Sequence, residues 1–394
     1  MNFHFYRYFF TYVFKSKTRQ RLLFIAVVGL LLSSFSLVVL QGIMGGLQNG
    51  LILRSKKVLG HGHIEINNRD EIEHHQLSLD LIDRFQEKGI LFYPEYHLEL
   101  MLKHDRRVSP VILHGIDYSY GTPPFLIKKD TEGTVLASDL SSKLNAYYNS
   151  NLSFISPAHL DSLFGDVPRQ VSSTVSDFYM SELTEIDAVH AWSPITLVQN
   201  LVRKRNFNRI IFFDEDSLNF ASDLLKTSTF NDPIYKIYTW EQKNKTLVWA
   251  LKLETNVMLF LFIGMSFLVA ICITSGFMIF FDKIKTDLIS FWILGKSQKE
   301  VLNLSYVFTH MISFLFCSLG VMLGLGFLYF LKSNTISFMP DFFVERNIPV
   351  KIDTLKVLIS FIIPYLISVV FSYFSFSLFK KDTSSFVKII RNVG

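Results

Sequence analysis

Hydrophobic positions in this chain are massed rather than alternated. Four runs without Asp, Glu, Lys or Arg extend over 22–53, 257–281, 301–331 and 357–379. Each exceeds the roughly 20 apolar residues that cross about 30 Å of hydrocarbon. Between the first and second lies a polar segment, 54–256, where the pattern changes. Alternation over His63–Ile66, Val108–Leu113 and Ile210–Phe213 predicts strands, and helical spacing over Leu77–Lys88 and Ser217–Thr227 predicts helices. Turn signals at Thr122-Pro123-Pro124, Ser156-Pro157 and Val167-Pro168 break the segment up. The expected architecture is an α+β membrane protein: four transmembrane helices, with a large α+β domain of one or two lobes inserted between helices 1 and 2.

Composition sharpens this layout. Hydrophobic residues make up 49% and aromatics 15%, yet charged residues reach 19%, gathered in the middle segment and at the span ends. Basic residues occupy the N-terminal flank (Arg7, Lys15, Lys17, Arg19, Arg21), the segment after the second span (Lys283, Lys285, Lys296, Lys299) and the tail (Lys380, Lys381, Lys388, Arg391). These lie on one side of any four-span topology, so both termini and the 282–300 loop are expected in the cytoplasm. The 54–256 domain and the 332–356 loop then face outward, although the latter carries Lys332, Arg346, Lys351 and Lys356. The net charge of +5 reflects this bias and is no nucleic-acid signature. Residues 1–21 begin with an aromatic stretch in which His4, Arg7, Thr11 and Lys15 would share a helical stripe, as an interfacial helix requires. The first run is too long for a cleaved signal and is expected to stay as an anchor.

Candidate chemistry is sparse. No span carries an ionised side chain, and His310 is the one readily titratable group inside them. A proton- or ion-coupled carrier uses buried charges along its path, so energy is expected from elsewhere. Gly320 and Gly324 form a GxxxG that would let two helices approach, and Pro364 is placed to kink the fourth span. His61 and His63 share a strand face and His74-His75 follow, but no Cys or HExxH accompanies them, which disfavours a metal. No GxSxG elbow supports a hydrolase. Gly295-Lys296-Ser297 mimics the end of a P-loop, but Ser290 stands where that loop needs Gly. Cys272 and Cys317 both fall inside spans.

The layout and three local patterns resemble the permeases of the lipoprotein-releasing ABC transporter family (LolC/LolE type), within the wider MacB/FtsX-like group. Gly42-Ile43-Met44-Gly45-Gly46-Leu47-Gln48, followed by Gly60-His61-Gly62-His63-Ile64, is similar to the family's V-M-N-G-F stretch and His-Ile strand, with Gly45 where Asn is usual. Asp282-Lys283 through Asp287-Leu288-Ile289 and Trp292-Ile293-Leu294-Gly295 resembles the family's ATPase-docking segment, with Trp292 in place of Arg. Ser156-Pro157, Gly165 to Pro168-Arg169, and Glu185-Ile186-Asp187 resemble the family's periplasmic run, which includes a carrier-recruiting hook.

The resemblance implies a non-catalytic permease subunit of the bacterial inner membrane, with its large domain periplasmic. It would extract lipoproteins and pass them to a periplasmic carrier. ATP and Mg would be bound by a separate P-loop ATPase, and no cofactor by this chain. Asp282, Lys283, Asp287, Leu288, Ile289, Trp292, Leu294 and Gly295 would couple to that ATPase. Ser156, Pro157, Gly165, Pro168 and Arg169 would meet the carrier, and Leu40, Ile43, Met44 and Leu47 would line a lipoprotein groove. A second permease, identical or a sister chain, and membrane lipid are the other expected partners; nucleic acid is not. Two alternatives share the layout: a MacB-like exporter of small molecules or peptides, whose ATPase is usually fused at the N-terminus, and an FtsX-like regulator of a cell-wall hydrolase, whose outward domain is typically much shorter.

Overall fold

The computed structural model describes residues 21–66, 79, 81–126, 133–161, 166–226, 235–333 and 349–382. The expected interfacial helix of 1–21, except its last residue, lies outside them, as do His74-His75, Gly165, most of the 332–356 loop and most of the 380–394 tail. The chain divides into two compact units, one of 1–49 with 250–394, the other of Gly50–Trp249.

Among the described residues, four helices are long and apolar enough to cross a membrane: Val27–Leu59, Lys245–Ile279, Lys299–Ser333 and Thr354–Leu378. The full helices overrun the uncharged runs, covering Arg21–Leu59, Lys245–Ile293, Gln298–Ser333 and Thr354–Asp382. The reason is local: charged residues do not stop a helix, whereas a glycine that takes up a left-handed conformation does. The first helix passes the predicted end at Leu53 and stops only before Gly60, whose φ of +78° suits glycine. The second passes Phe281 and persists to Ile293, so the short helix that the resemblance implies within the 282–300 loop is the unbroken continuation of the span. It ends before Gly295, which has a φ of +99°. The fourth helix runs through Pro364.

Close approach, not charge, builds the first unit. A Cβ on Gly320 would collide with the Leu31 carbonyl, and one on Gly324 would sit 3.0 Å from Val38 Cβ, so the GxxxG face of the third helix packs on the first. Further along the first helix, a Cβ on Gly46 would collide with the Pro349 carbonyl, and Lys351 N donates to Gly42 O at 3.0 Å. Serine pairs add polar links: Ser33 with Ser266 at 3.2 Å, and Ser368 with Ser313 at 2.8 Å. Gln48 Nε2 donates to Leu251 O at 3.2 Å and Thr255 Oγ1 donates back to Gln48 Oε1 at 3.3 Å.

The second unit holds a nine-stranded sheet: β1 Gly62–Ile66, β2 Tyr93–His104, β3 Arg107–Ile116, β4 Thr134–Ala137, β5 Asn151–Asp161, β6 Val167–Tyr179, β7 His190–Pro194, β8 Arg209–Phe212 and β9 Tyr235–Thr239. The order is β3-β7-β4-β6-β5-β2-β8-β1-β9, and β2 also pairs with β3. Six strands therefore close into a ring, and β8, β1 and β9 extend from it. The strand β2 makes the junction, because its first residues pair with β8 (Glu95 with Arg209) and its last with β5 (Leu102 with Phe154). Between those two pairings the Asn208 side chain completes the ladder, accepting from His97 N at 2.8 Å and donating to His97 O at 2.9 Å.

Two apolar cores follow this division. One, with Leu102, Leu113, Phe154, Val175 and Trp192, fills the ring; the other, with Ile64, Phe85, Phe212 and Leu218, lies under the extension. The expected strands appear within β1, β3 and β8, and the expected helices at residues 81–87 and Glu215–Lys226. The expected turns at Ser156-Pro157 and Val167-Pro168 do not: Ser156 and Pro157 belong to β5, where a bulge between Ser156 and Leu160 absorbs the proline without ending the strand, and Val167 and Pro168 are the first residues of β6.

The glycine contacts set a test. Gly320→Leu should lower stability by about 1–3 kcal/mol, the usual cost of overpacking, read as a reduced thermal midpoint of the full chain in lipid nanodiscs. Gly326→Leu, where no atom lies within 4 Å of the added Cβ, should leave the midpoint unchanged. Equal effects at both positions would refute this helix contact.

Candidate functional site

The ATPase-coupling residues predicted from sequence fall at the end of the second long helix and in the turn after it. The helix closes with Lys296 N donating to Phe291 O at 3.3 Å and Gly295 N to Trp292 O at 3.0 Å, with Gly295 at φ +99°. This paired closure satisfies the last carbonyls and needs glycine at its left-handed position. The next helix begins at once, with Glu300 N donating to Ser297 Oγ at 3.3 Å and Ser297 N to Glu300 Oε2 at 3.4 Å, a reciprocal cap. Gly295-Lys296-Ser297 is thus a helix stop and a helix start, which accounts for its likeness to a P-loop end. Ile289 is buried and Trp292 half-buried against a core that includes Phe277, Val301 and Phe308, whereas Ile293 and Leu294 are 68% and 71% exposed. Asp282, Lys283, Asp287 and Leu288 lie on the helical backbone before this turn; their side chains lie outside the described part. Trp292 therefore acts as an anchor, and the exposed apolar tip is Ile293-Leu294.

The predicted carrier-binding residues surround the β5–β6 hairpin. Ser156 is buried and shares a hydrogen bond with His159 Nδ1 at 2.8 Å. Arg169 is held from two sides, donating through Nε to Asp161 Oδ1 and through Nη1 to Val202 O, both at 3.0 Å. These two residues are committed to the fold. Pro157 and Pro168 are exposed, beside the exposed Leu160 and Val167. In the Glu185-Ile186-Asp187 run the two carboxylates also differ. Asp187 is buried and accepts from Ser181 N, Ser181 Oγ and Glu182 N at 2.8 to 3.0 Å, whereas Glu185 is exposed.

Along the first helix, the predicted groove residues Leu40, Ile43 and Met44 are half-buried and Leu47 is exposed. Helical spacing puts Leu40, Met44 and Leu47 opposite Gly42, Gly45 and Gly46, with Ile43 at the flank beside Gly46. The glycine side is occupied by the 349–351 backbone and by Leu328 and Lys356.

The second unit also contains a polar cluster that sequence reading missed. Glu95 on β2 is 1% exposed. Its Oε2 accepts from His114 Nδ1 on β3 at 2.7 Å, and Arg209 Nη1 on β8 lies 3.5 Å from its Oε1. His114 Nε2 is 2.8 Å from His190 Nδ1 on β7. Arg209 Nη2 also reaches Glu65 Oε1 on β1 at 3.2 Å, and Glu65 in turn meets Lys243 and His63. Trp192 stacks beside His114 and His190 at ring distances of 5.9 and 6.2 Å. The cluster thus ties β7 and β3 of the ring to β8 and β1 of the extension.

Burial and its neighbours set the charges here. Burial alone would raise the Glu95 carboxyl, but His114 and Arg209 overcome it and hold Glu95 at about 2. Burial, reinforced by Arg209 and His114, lowers His97 to about 2; burial and His114 lower His190 to about 3. Burial and Arg209 lower His63 to about 4. No group of three or more His, Cys, Asp or Glu side chains among the described residues could hold a metal ion. His190 ends the relay in the wall of a cavity of about 500 Å³, lined also by Ser55, Ile112, Glu182, Glu185 and Asn244.

No known family and no curated protein matches this sequence. Among solved structures, the periplasmic region of MacB from Actinobacillus actinomycetemcomitans is similar over 49% of this chain and 95% of its own, at 12% identity and a TM-score of 0.31. The extracellular domain of the ABC-type transporter YknZ from Gram-positive bacteria is similar over 45% of this chain and 98% of its own, at 9% identity and a TM-score of 0.29. Likenesses this low carry no functional weight.

The buried cluster makes the second unit sensitive to acid. His63, His97 and His190 stay neutral when folded but take up protons near 6.5 when unfolded, so their contribution is complete above about 6.5 and declines as pH falls toward 4 and below. Glu95 adds stability above about 4.5 that is lost toward 2. Hydrogen exchange in β2, β3, β7 and β8 should therefore quicken from pH 6.5 to 4, beyond the intrinsic change in exchange rate. His114→Phe, which strips one partner from a buried carboxylate, should cost about 3 kcal/mol at neutral pH. A flat protection profile would contradict the assignment.

Proposed function

We propose that this chain is the membrane-spanning, non-catalytic subunit of an ABC transporter that releases lipoproteins from a bacterial inner membrane. The observation that carries this reading is the layout: one span, a large outward domain, then three spans, with no ionised side chain in any uncharged run. Such spans offer no route for a coupling ion. They suit a machine driven mechanically from outside the bilayer. In this reading both termini and the 293–298 turn are cytoplasmic and the Gly50–Trp249 unit is periplasmic. A separate P-loop ATPase binds ATP and Mg and grips the exposed Ile293-Leu294 tip. A second permease, identical or a sister chain, completes the pathway.

The lipoprotein reading is supported by the resemblance of the 42–48, 282–295 and 156–187 segments to the lipoprotein-releasing permeases. The acyl chains would be received along Leu40, Ile43, Met44 and Leu47. The carrier would meet the exposed apolar end of the β5–β6 hairpin, Pro157, Leu160, Val167 and Pro168, instead of the internally bonded Ser156 and Arg169.

Reconstitution tests this directly. Proteoliposomes holding the chain, its P-loop ATPase and a tagged lipoprotein should release the lipoprotein to the supernatant only when both ATP and a soluble carrier are added. Ile293→Asp with Leu294→Asp should reduce ATP-dependent release at least about ten-fold, a loss of some 1.4 kcal/mol of coupling contact. Leu160→Asp with Val167→Asp should abolish the carrier's effect while ATP hydrolysis continues. ATP hydrolysis without any release would transfer the reading to a different exported substrate, or to a regulator that moves nothing.

A further inference from the structure

The fourth uncharged run, 357–379, is close to the length that a bilayer core requires. Lys356, the residue before it, therefore stands at the edge of the hydrocarbon, at headgroup depth. A lysine so placed ordinarily extends its ammonium away to water. Lys356 instead is half-buried and lies over the buried Gly45 of the first helix, where an added Cβ would come within 3.1 Å of its Nζ. Lys351 reaches the same face of that helix one turn further on, donating through Nζ to Asn49 Oδ1 at 2.8 Å. Lys332 approaches from the third helix. The contacts of Gly320, Gly324 and Leu328 climb the first helix from Leu31 through Val38 to Gly42. One more turn sets Lys332 at the level of Gly46.

Three cations thus gather at one end of these helices, and nothing described there balances them. Among the described residues the Lys332 and Lys356 ammonium groups make no hydrogen bond or ion pair, and Lys351 meets only the neutral Asn49 amide. The described carboxylates at this end are engaged elsewhere. Asp353 caps the fourth helix, Oδ1 accepting from Leu355 N at 3.1 Å, and Glu254 Oε2 accepts from Gln48 Nε2 at 3.2 Å. A half-buried ammonium without a counter-charge costs free energy that an anion would recover. At this depth the anion within reach is a lipid phosphate, and basic niches between membrane helices suit such headgroups. A zwitterionic headgroup brings a cation of its own, which the lysines would repel; an anionic one does not.

We infer that Lys351 and Lys356 hold the phosphate of one anionic phospholipid, with Lys332 adding its field. The site lies within the unit of 1–49 and 250–394. It needs no ATPase, carrier or cargo, and it stands apart from the transport reading.

Native mass spectrometry of the full-length chain tests it, in detergent micelles titrated with phosphatidylglycerol or with phosphatidylcholine of the same acyl chains. Phosphatidylglycerol should saturate a first site at one molecule per chain. Phosphatidylcholine should bind there at least about ten-fold more weakly, the worth of one hydrogen bond between charged groups. Lys356→Gln and Lys351→Gln should each weaken phosphatidylglycerol by a similar factor, whereas Lys380→Gln, at the opposite end of the fourth helix, should not. Glycerophosphoglycerol, the same headgroup without acyl chains, should fail to displace the lipid at equal concentration. Equal retention of the two lipids would overturn the inference. So would equal losses from Lys380→Gln and Lys356→Gln, the mark of a general attraction between charges, or displacement by glycerophosphoglycerol, the mark of a site for free phosphate. Unchanged binding in Lys356→Gln decides against it even if Lys351→Gln fails to fold.

Discussion

One buried carboxylate organises the Gly50–Trp249 unit. Glu95 sits where β2 leaves the extension and enters the ring, and a charge at 1% exposure is tolerated only with partners on every side. Those partners come from β3 and β8, and through them from β7 and β1. A hydrophobic side chain at the same place would fill the space without choosing among registers. The carboxylate is particular: slipping β8 by one residue would turn Arg209 to the opposite face and leave Glu95 without its cation. The cluster therefore specifies how two apolar cores are joined, while the cores themselves supply most of the burial.

The first unit solves the opposite problem. Its uncharged runs have no ion pairs to place the helices, and lipid gives no hydrophobic reward for helix contact. Specificity comes from missing side chains and small hydroxyls. Gly320 and Gly324 receive the first helix, Gly42 and Gly46 receive Leu328 and the Pro349 carbonyl, and serine pairs tie helix to helix. Glycine patterns that look weak in a list of residues become informative once the atom each would strike is known.

That contrast explains what the sequence made legible. The four spans, the mixed character of the inserted domain and strands β1, β3 and β8 follow from local periodicity, which one stretch of chain carries alone. The overrun of the second helix to Ile293 was hidden because the eye stops at Asp282, whereas the backbone stops at Gly295. The proline at 157 read as a turn, since a bulge is defined by the facing strand and not by its own residues. The Glu95 cluster was invisible for the same reason. Its members come from four separated strands, and only the pairings of the sheet gather Glu95, His114, His190 and Arg209. His61 and His63 stand out in the sequence because they are close along the chain, which is a poor guide to neighbours in a sheet.

The tight turn at 294–297 adds a mechanical consequence. A flexible cytoplasmic loop could be gripped without moving the helices it joins. Here the second helix is unbroken over 49 residues, about 73 Å at 1.5 Å per residue, and only four residues separate it from the next helix. Both flanks of the turn are locked, one by the glycine closure and the other by the Ser297–Glu300 cap. Trp292 and Ile289 are packed into the helix core below. In the proposed transporter, a force on Ile293-Leu294 would thus displace two helices as one body, and little of it would be lost in bending the connection. In that proposal the absence of ionised groups from the four runs and the stiffness of this turn belong to the same design: work would arrive as movement, so the spans would need helices that pack and a handle that does not yield.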